Sequence, residues 1–347
     1  MASNSAAVSA ASLESTLTRA WMRRGWLACL LWPLSLLFGL LAALRRALFA
    51  LGLKPVTRLP VPVIVAGNIL VGGTGKTPLT IWLVEALREA GYRPGVISRG
   101  YGTADGAARP VTATSHAHEV GDEPLLIAER TGCPVMVGRN RVAAGQALLA
   151  AHPETDVIVS DDGLQHYALA RDIEIVLSDA RGAGNGWLLP AGPLREPVSR
   201  RRDFSVRNVG AGPALTAPGE VAMALVGDRA ERLQDRSRTQ LLSAWQGASR
   251  LVAVAGIGNP ARFFATLEQA GLRFDRLPLP DHHDFADNPF AALAADIILI
   301  TEKDAVKCKA IEAIKNDPRI WVVPVTARID SALAEHIVEK LRERPTA

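Results

Sequence analysis

At 347 residues the chain exceeds an ordinary single domain, so two lobes with an appendage are expected. A net charge of +4 argues against a nucleic-acid binder. Three scattered cysteines (Cys29, Cys133, Cys308) exclude a disulfide framework and point to a reducing compartment.

Hydrophobic residues make up 48% of the chain, and their excess lies near the N-terminus. After an Ala/Ser-rich first dozen residues, Gly25 to Leu44 (GWLACLLWPLSLLFGLLAAL) holds no charged side chain. Arg19, Arg23 and Arg24 precede it, and Arg45 and Arg46 follow. Twenty helical residues span about 30 Å, the thickness of a bilayer core. Trp21, Trp26 and Trp32 crowd its start as interfacial anchors do, and a cleaved signal peptide has a shorter apolar core. A membrane-contacting helix over about 25–44 is therefore expected, with a buried core helix as the rival. Pro33 and the flanking charges leave open whether it spans the bilayer or lies in the interface.

Next, VPVIVA (61–66) reads as a buried strand that runs into a glycine loop, and Pro78 suits the first turn of a helix ending near Ala90 and Gly91. Strands at 95–98, 134–137, 156–162 and 173–179 alternate with helices at 123–131 and 140–151. Apolar strands that alternate with helices predict an α/β fold with a mainly parallel sheet covered on both faces. Residues 208–219 (NVGAGPALTAPG) are rich in glycine and proline and read as a boundary. A second α/β stretch starts near Leu251, with a helix from about Arg262 and strands at 296–300 and 320–325. The predicted division is an N-terminal segment (1–55), a P-loop core (56–207), a connecting region (208–250) and a smaller C-terminal lobe (251–347).

The loop Leu70, Val71, Gly72, Gly73, Thr74, Gly75, Lys76, Thr77 places G-G-x-G-K-T between a strand and a helix. That setting makes a nest of N–H groups for phosphates, with Lys76 reaching the β- and γ-phosphates and Thr77 offering a hydroxyl to Mg²⁺. Leu70 stands where a full P-loop has its first glycine. Asp161 and Asp162 end a neighbouring strand, where ligands bind in open α/β sheets, and Asp162 is favoured for the metal. Asp122, in G-D-E-P, reads either as a helix N-cap or as a catalytic acid–base group. His282 and His283, in P-D-H-H-D-F, could be a base, ligands or solvated loop residues. Arg195, Arg200, Arg201 and Arg202 form a basic group suited to a phosphate or an anionic lipid. VAVAGIGNPA (252–261), with Asp275 beyond it, matches a dinucleotide fingerprint weakly. Neither TEKD (301–304) nor IKND (314–317) supplies a guanine motif, so adenine is expected.

With these residues assembled, the chain resembles the tetraacyldisaccharide 4'-kinases, membrane-bound P-loop kinases of lipid A synthesis. The resemblance runs from the apolar N-terminus to near residue 310. In order, it rests on GN-x-x-x-GGTGKTP (67–78), SRGYG (98–102), GDEP (121–124), DDGLQH (161–166), ARDIEIV (170–176), GNGWLLPAGPLRE (184–196), AGIG-x-P-x-RFF (255–264), DHH (281–283) and TEKDAVKC (301–308). Relatives often carry a small hydroxyl residue at the position of Leu70. The resemblance implies two lobes closing over ATP, Mg²⁺ and a lipid, and transfer of the γ-phosphoryl to the 4'-hydroxyl of an acylated glucosamine disaccharide 1-phosphate. It implies a proton-accepting dyad of Asp122 and His282, with Lys76 neutralising phosphate charge. It also implies an active site at the cytoplasmic face of the inner membrane. No nucleic acid and no protein partner is inferred. The rival from another class is a membrane-associated P-loop ATPase or GTPase acting as a switch or chaperone. A membrane adaptor with a decayed loop is disfavoured because Lys76, Thr77 and the acid pair are intact.

Overall fold

The computed structural model describes residues 17–100, 107–210 and 216–343. Tyr101 and Gly102 of the SRGYG stretch, part of 208–219 and the Ala/Ser-rich start lie outside these residues. Helix α1 (Trp26–Ala50) is followed by β1 (Val63–Gly67), α2 (Lys76–Glu89), β2 (Pro94–Ser98) and β3 (Arg109–Pro110). Then come α3 (Asp122–Thr131), β4 (Val135–Val137), α4 (Arg141–Ala151), β5 (Val157–Asp161), β6 (Ile173–Asp179), β7 (Phe204–Gly210) and β8 (Glu220–Val226). The remainder comprises β9 (Arg229–Arg232), β10 (Thr239–Leu241), β11 (Leu251–Ala255), α5 (Pro260–Gln269), β12 (Asp275–Pro278), β13 (Ile297–Thr301), α6 (Glu302–Cys308), β14 (Ile320–Val323), β15 (Thr326–Ile329) and α7 (Ser331–Arg342).

Two sheets form. The larger runs β15-β8-β7-β6-β1-β5-β2-β4-β3, parallel except at its two edges, and the smaller runs β10-β9-β14-β13-β11-β12. Every residue of β1, β2, β5 and β11 is buried, as strands covered on both faces require. Ile64 and Ala66 face a core shared with α2 and α3, while Val63 and Val65 face Leu148 of α4, Leu164 and Leu194. Because β1 lies between β5 and β6, the loop after β1 is flanked by the acids that end those two strands.

Residues 208–250, expected as a connecting region, instead give strands to both sheets. The glycine- and proline-rich stretch lies between β7 and β8, which pair in parallel in the larger sheet. The chain's end also returns to the first lobe: β15 pairs with β8, and Leu333, Ile337 and Leu341 of α7 enter the first lobe's core. The lobes are thus joined by two adjacent crossings, at Gly227 and at Pro324–Val325; a Cβ on Gly227 would stand 3.0 Å from Pro324 O. Composition marked a loop, but sheet membership depends on pairings distant in sequence.

Helix α1 is 25 residues long, past the expected end at Leu44 and through Arg45 and Arg46. It touches the protein along a narrow seam: Ser35 Oγ donates to Leu188 O at 2.8 Å, and a Cβ on Gly39 would meet Leu188. Trp32 packs on Trp187, and Trp21 Nε1, before the helix, donates to Pro190 O at 2.8 Å. The other faces expose Leu30, Leu34, Leu37, Leu40, Leu41 and Leu44.

Candidate active site

The glycine loop is tied from within. Asn68 Nδ2 donates to Gly72 O and to Thr74 Oγ1, and Asn208 Nδ2, from β7, donates to Thr74 O at 2.9 Å. Gly75 caps α2 in the left-handed region (φ 99°), where a Cβ would stand 2.7 Å from Asn208 Nδ2. Lys76 opens the helix, so its N-terminal N–H groups and the lysine share one concavity. Leu70 and Val71 play a different part from the one expected. Leu70 is 2% exposed, packs in the core and bridges Leu194, while Val71 N–H is taken by Pro193 O and its carbonyl by Arg181. These two anchor the loop, and the groups that face the cleft begin at Gly73.

The acid pair divides its roles. Asp161 is buried and accepts from Thr80 Oγ1 (3.1 Å) and Ser98 Oγ (3.2 Å); burial and the nearby Glu123 push its carboxyl up to about 6. Asp162 follows the strand at φ 51°, a conformation unusual outside glycine. Its carboxylate points to the loop, with Lys76 Nζ at 3.9 Å from Oδ1 and Arg195 at 3.7 Å from Oδ2. Asp162 Oδ1 accepts no hydrogen bond among the described residues, and Thr77 is nearly buried on the same loop. One open carboxylate oxygen beside a loop hydroxyl suits Mg²⁺, which takes few protein ligands and completes its shell with phosphates and water.

On the other side of β1, Asp179 ends β6 with 1% exposure. It accepts from Arg181, which holds Val71 O, and from Arg262 at 3.1 Å, which reaches over from α5 of the second lobe. Arg262 and the loop line one cleft of about 180 Å³, together with Glu123, Phe263 and Lys303.

The most specific contact joins the lobes. Asp122 is the first residue of α3, capped by Gly121, and its Oδ2 lies 3.0 Å from His282 Nδ1. Asp122 is not the helix cap the sequence allowed: Gly121 holds that position, and Asp122 Oδ1 accepts only from the next residue, Glu123 N, at 3.0 Å among the described residues. His282 sits at φ 59° in the turn between β12 and β13, another non-glycine residue in the left-handed region. Burial opposes ionisation of Asp122, but the His282 hydrogen bond and the charges of Lys303, His282 and Lys307 outweigh it and hold the carboxyl below its usual range. The same hydrogen bond raises the His282 imidazole against burial and Lys303. His283 turns away, taking Phe285 N–H on its Nδ1. A second hollow of about 610 Å³ opens beside the pair, lined by His116, His118 and Lys307 among others.

Of the four arginines Arg195, Arg200, Arg201 and Arg202, only Arg195 is seen to pair with Asp162 among the described residues. Arg200 is 8% exposed and bound to Glu196, Glu174 and Leu164 O, so its charge is spent inside the fold. Arg202 caps Val198 O and Arg200 O, and Arg201 is exposed. Sequence reasoning assigned no role to Arg262, Lys303 or Lys307. Each stands inside a quoted stretch, and the i, i+4 spacing of the two lysines puts them on one helical face.

A family model described as tetraacyldisaccharide-1-P 4'-kinase matches residues 27–342. The chain is 63% identical over 346 residues to a tetraacyldisaccharide 4'-kinase of Janthinobacterium sp. (strain Marseille), covering 98% of this chain and all of that relative. It is 61% identical to the Herminiimonas arsenicoxydans protein of the same name, over 97% and 98% of the two chains. A crystal structure of LpxK from Aquifex aeolicus in complex with ATP superposes with a TM-score of 0.76 at 27% identity, covering 91% of this chain and 99% of that one.

Proposed function

The chain belongs to the tetraacyldisaccharide 4'-kinase family and is an ATP-dependent kinase of lipid A biosynthesis; from that premise we propose how its residues divide the work. The observation that carries the reading is the 3.0 Å contact between Asp122 and His282, made across the lobes next to Glu123 and Lys303, which line the glycine-loop cleft. Phosphoryl transfer needs little covalent chemistry from the protein and depends on positioning and charge neutralisation. Gly73 to Thr77 and the N-terminus of α2 cradle the ATP phosphates, and Lys76 balances their charge. Arg262 approaches the same cleft from the second lobe. Thr77 and Asp162 would hold Mg²⁺, which would supply positive charge to offset that of the transferring phosphate. Asp161, buried behind them, holds the strand end through Thr80 and Ser98.

Asp122 accepts the Nδ1 proton of His282, which fixes the tautomer and turns Nε2 toward the acceptor. Nε2 then takes the proton of the 4'-hydroxyl of the acylated disaccharide 1-phosphate as its oxygen attacks the γ-phosphorus and the bond from that phosphorus to the bridging oxygen breaks, ADP leaving with the electron pair. Closure of the lobes over the cleft excludes water, which would otherwise compete with the sugar. Exposed leucines on α1 enter the bilayer that holds the substrate's acyl chains, at the cytoplasmic face of the inner membrane, where ATP is supplied. Arg195, 3.7 Å from Asp162, is the arginine placed to contact the anionic substrate.

The test uses γ-labelled ATP with the tetraacyldisaccharide 1-phosphate in mixed micelles. The reading expects label in the lipid, abolished by Lys76→Ala. Label released only as free phosphate would favour the switch ATPase instead.

A further inference from the structure

The stretch TEKDAVKC has no part in the scheme above, yet its helix, α6, packs against α3 beside the reacting pair. Lys303 and Lys307 project from one face of it. Their ammonium groups stand 3.8 and 3.9 Å from the same Asp122 oxygen that takes the His282 proton. The two are not equivalent. Lys303 is pulled three ways, to Glu123 at 3.1 Å, Asp122 and Asp281, and it also lines the glycine-loop cleft.

Lys307 is 9% exposed, and its Nζ makes no hydrogen bond among the described residues. Two carboxylates and a ring surround it: Asp304 at 3.3 Å, Asp122 at 3.9 Å, and the face of Phe285 at 5.2 Å. Asp304 is wholly buried and fixed by Thr301 Oγ1 and Gly256 N. A buried ammonium is costly unless carboxylates answer it, so this one is held where its charge bears on Asp122.

We propose that Lys307 is a positioning residue of the proton-accepting pair: its buried ammonium keeps Asp122 a carboxylate facing His282 Nδ1, so that Nε2 accepts the proton of the attacking hydroxyl. The proposal rests on the reading of Asp122 and His282 given above. A protonated Asp122 would donate to Nδ1 and leave the proton on Nε2, the wrong tautomer for a base. Other charges facing the pair are Glu123 on α3, Lys303 on α6, and Asp281 and Asp284 in the His282 turn. His116 and His118 line the adjoining hollow.

The experiment measures kcat and KM against pH for the full-length kinase with Lys307→Met, Lys307→Gln, Lys307→Arg and Asp304→Asn. Loss of the charge raises the pKa of both Asp122 and His282. The acid limb of the kcat profile therefore moves up by about one pH unit in the Met and Gln variants, roughly a tenfold loss on that limb, with KM for ATP little changed. Lys307→Arg keeps the limb at the wild-type position. Asp304→Asn removes the competing carboxylate, so its limb moves the other way, to lower pH, and decides the matter if the neutral variants do not fold. An unmoved limb in the neutral variants, a loss in Lys307→Arg equal to theirs, or an unmoved or raised limb in Asp304→Asn overturns the proposal. Asp122→Asn and His282→Ala are run beside them. If these two abolish transfer while the Lys307 limb stays put, the lysine proposal alone fails. If they transfer at the wild-type rate, the dyad reading fails and takes the proposal with it.

Discussion

His282 Nδ1 lies 3.0 Å from Asp122 Oδ2, although 160 residues separate them. One comes from the first turn of a helix in the larger lobe and the other from a turn in the smaller lobe. The contact is therefore one between the lobes, and on the proposed reading proton acceptance depends on residues from both.

That contact has a pH signature in stability. The folded-state pKa of Asp122 is lowered, so its contribution is present above its unfolded value of about 3.9 and is lost as pH falls through the folded value. The folded pKa of His282 is raised, so its contribution is full below about 6.5 and is lost as pH rises through the folded value. His282 is 40% exposed, so solvent screens the pair, and it is worth at most about 1 kcal/mol. Thermal melting of wild type and His282→Ala should differ by about 2 °C near pH 5.5 and by less at pH 8.5. A difference that grows toward pH 8.5 would contradict this.

Restoring the missing glycine of the loop should do harm. Leu70 is 2% exposed in the core against Leu194. Leu70→Gly is expected to cost about 3–5 kcal/mol in denaturant melts with no gain in ATP affinity by calorimetry. Tighter ATP binding at unchanged stability would show that position 70 meets the nucleotide.

The arginines separate by readout. Arg200→Met leaves Glu196, which is 2% exposed, and Glu174 short of a cation, and should cost about 3 kcal/mol of stability with KM for lipid nearly unchanged in the folded fraction. Arg195→Ala removes a side chain that is 31% exposed, so it should change stability by under about 1 kcal/mol and lower turnover. The reverse pattern would return Arg200 to the substrate.

Four leucines on one face of α1, Leu30, Leu34, Leu37 and Leu41, are between 53% and 66% exposed. Changing all four to Gln should leave the melting temperature in detergent nearly unchanged. In lipid each buried leucine contributes about 1.5–3 kcal/mol, so the variant should no longer float with liposomes. Continued flotation would mean that another surface holds the membrane.

The parallel core was legible because covered strands are rich in consecutive apolar residues, and β1, β2, β5 and β6 each carry such a run between helical stretches. The glycine loop was legible because its chemistry is contiguous. Sheet membership of β8 and β15 was not, because it depends on a partner strand that no local pattern names. Arg200 read as part of a basic group for a phosphate or anionic lipid because Glu174, 26 residues away, gives no local sign of pairing with it. Asp122 had the type and place of a helix cap, and only the fold brings His282 to it. Lys303 and Lys307 showed their shared face by spacing, but not what that face meets.

The most direct test is single-turnover transfer of labelled γ-phosphoryl to the tetraacyldisaccharide 1-phosphate at saturating ATP, with ATP affinity measured on the same preparations. For Asp122→Asn and His282→Ala the account predicts that ATP affinity is kept while the transfer rate falls about 10²–10⁴-fold. Transfer at the wild-type rate in either variant, or a loss matched by an equal loss of ATP binding, would contradict it.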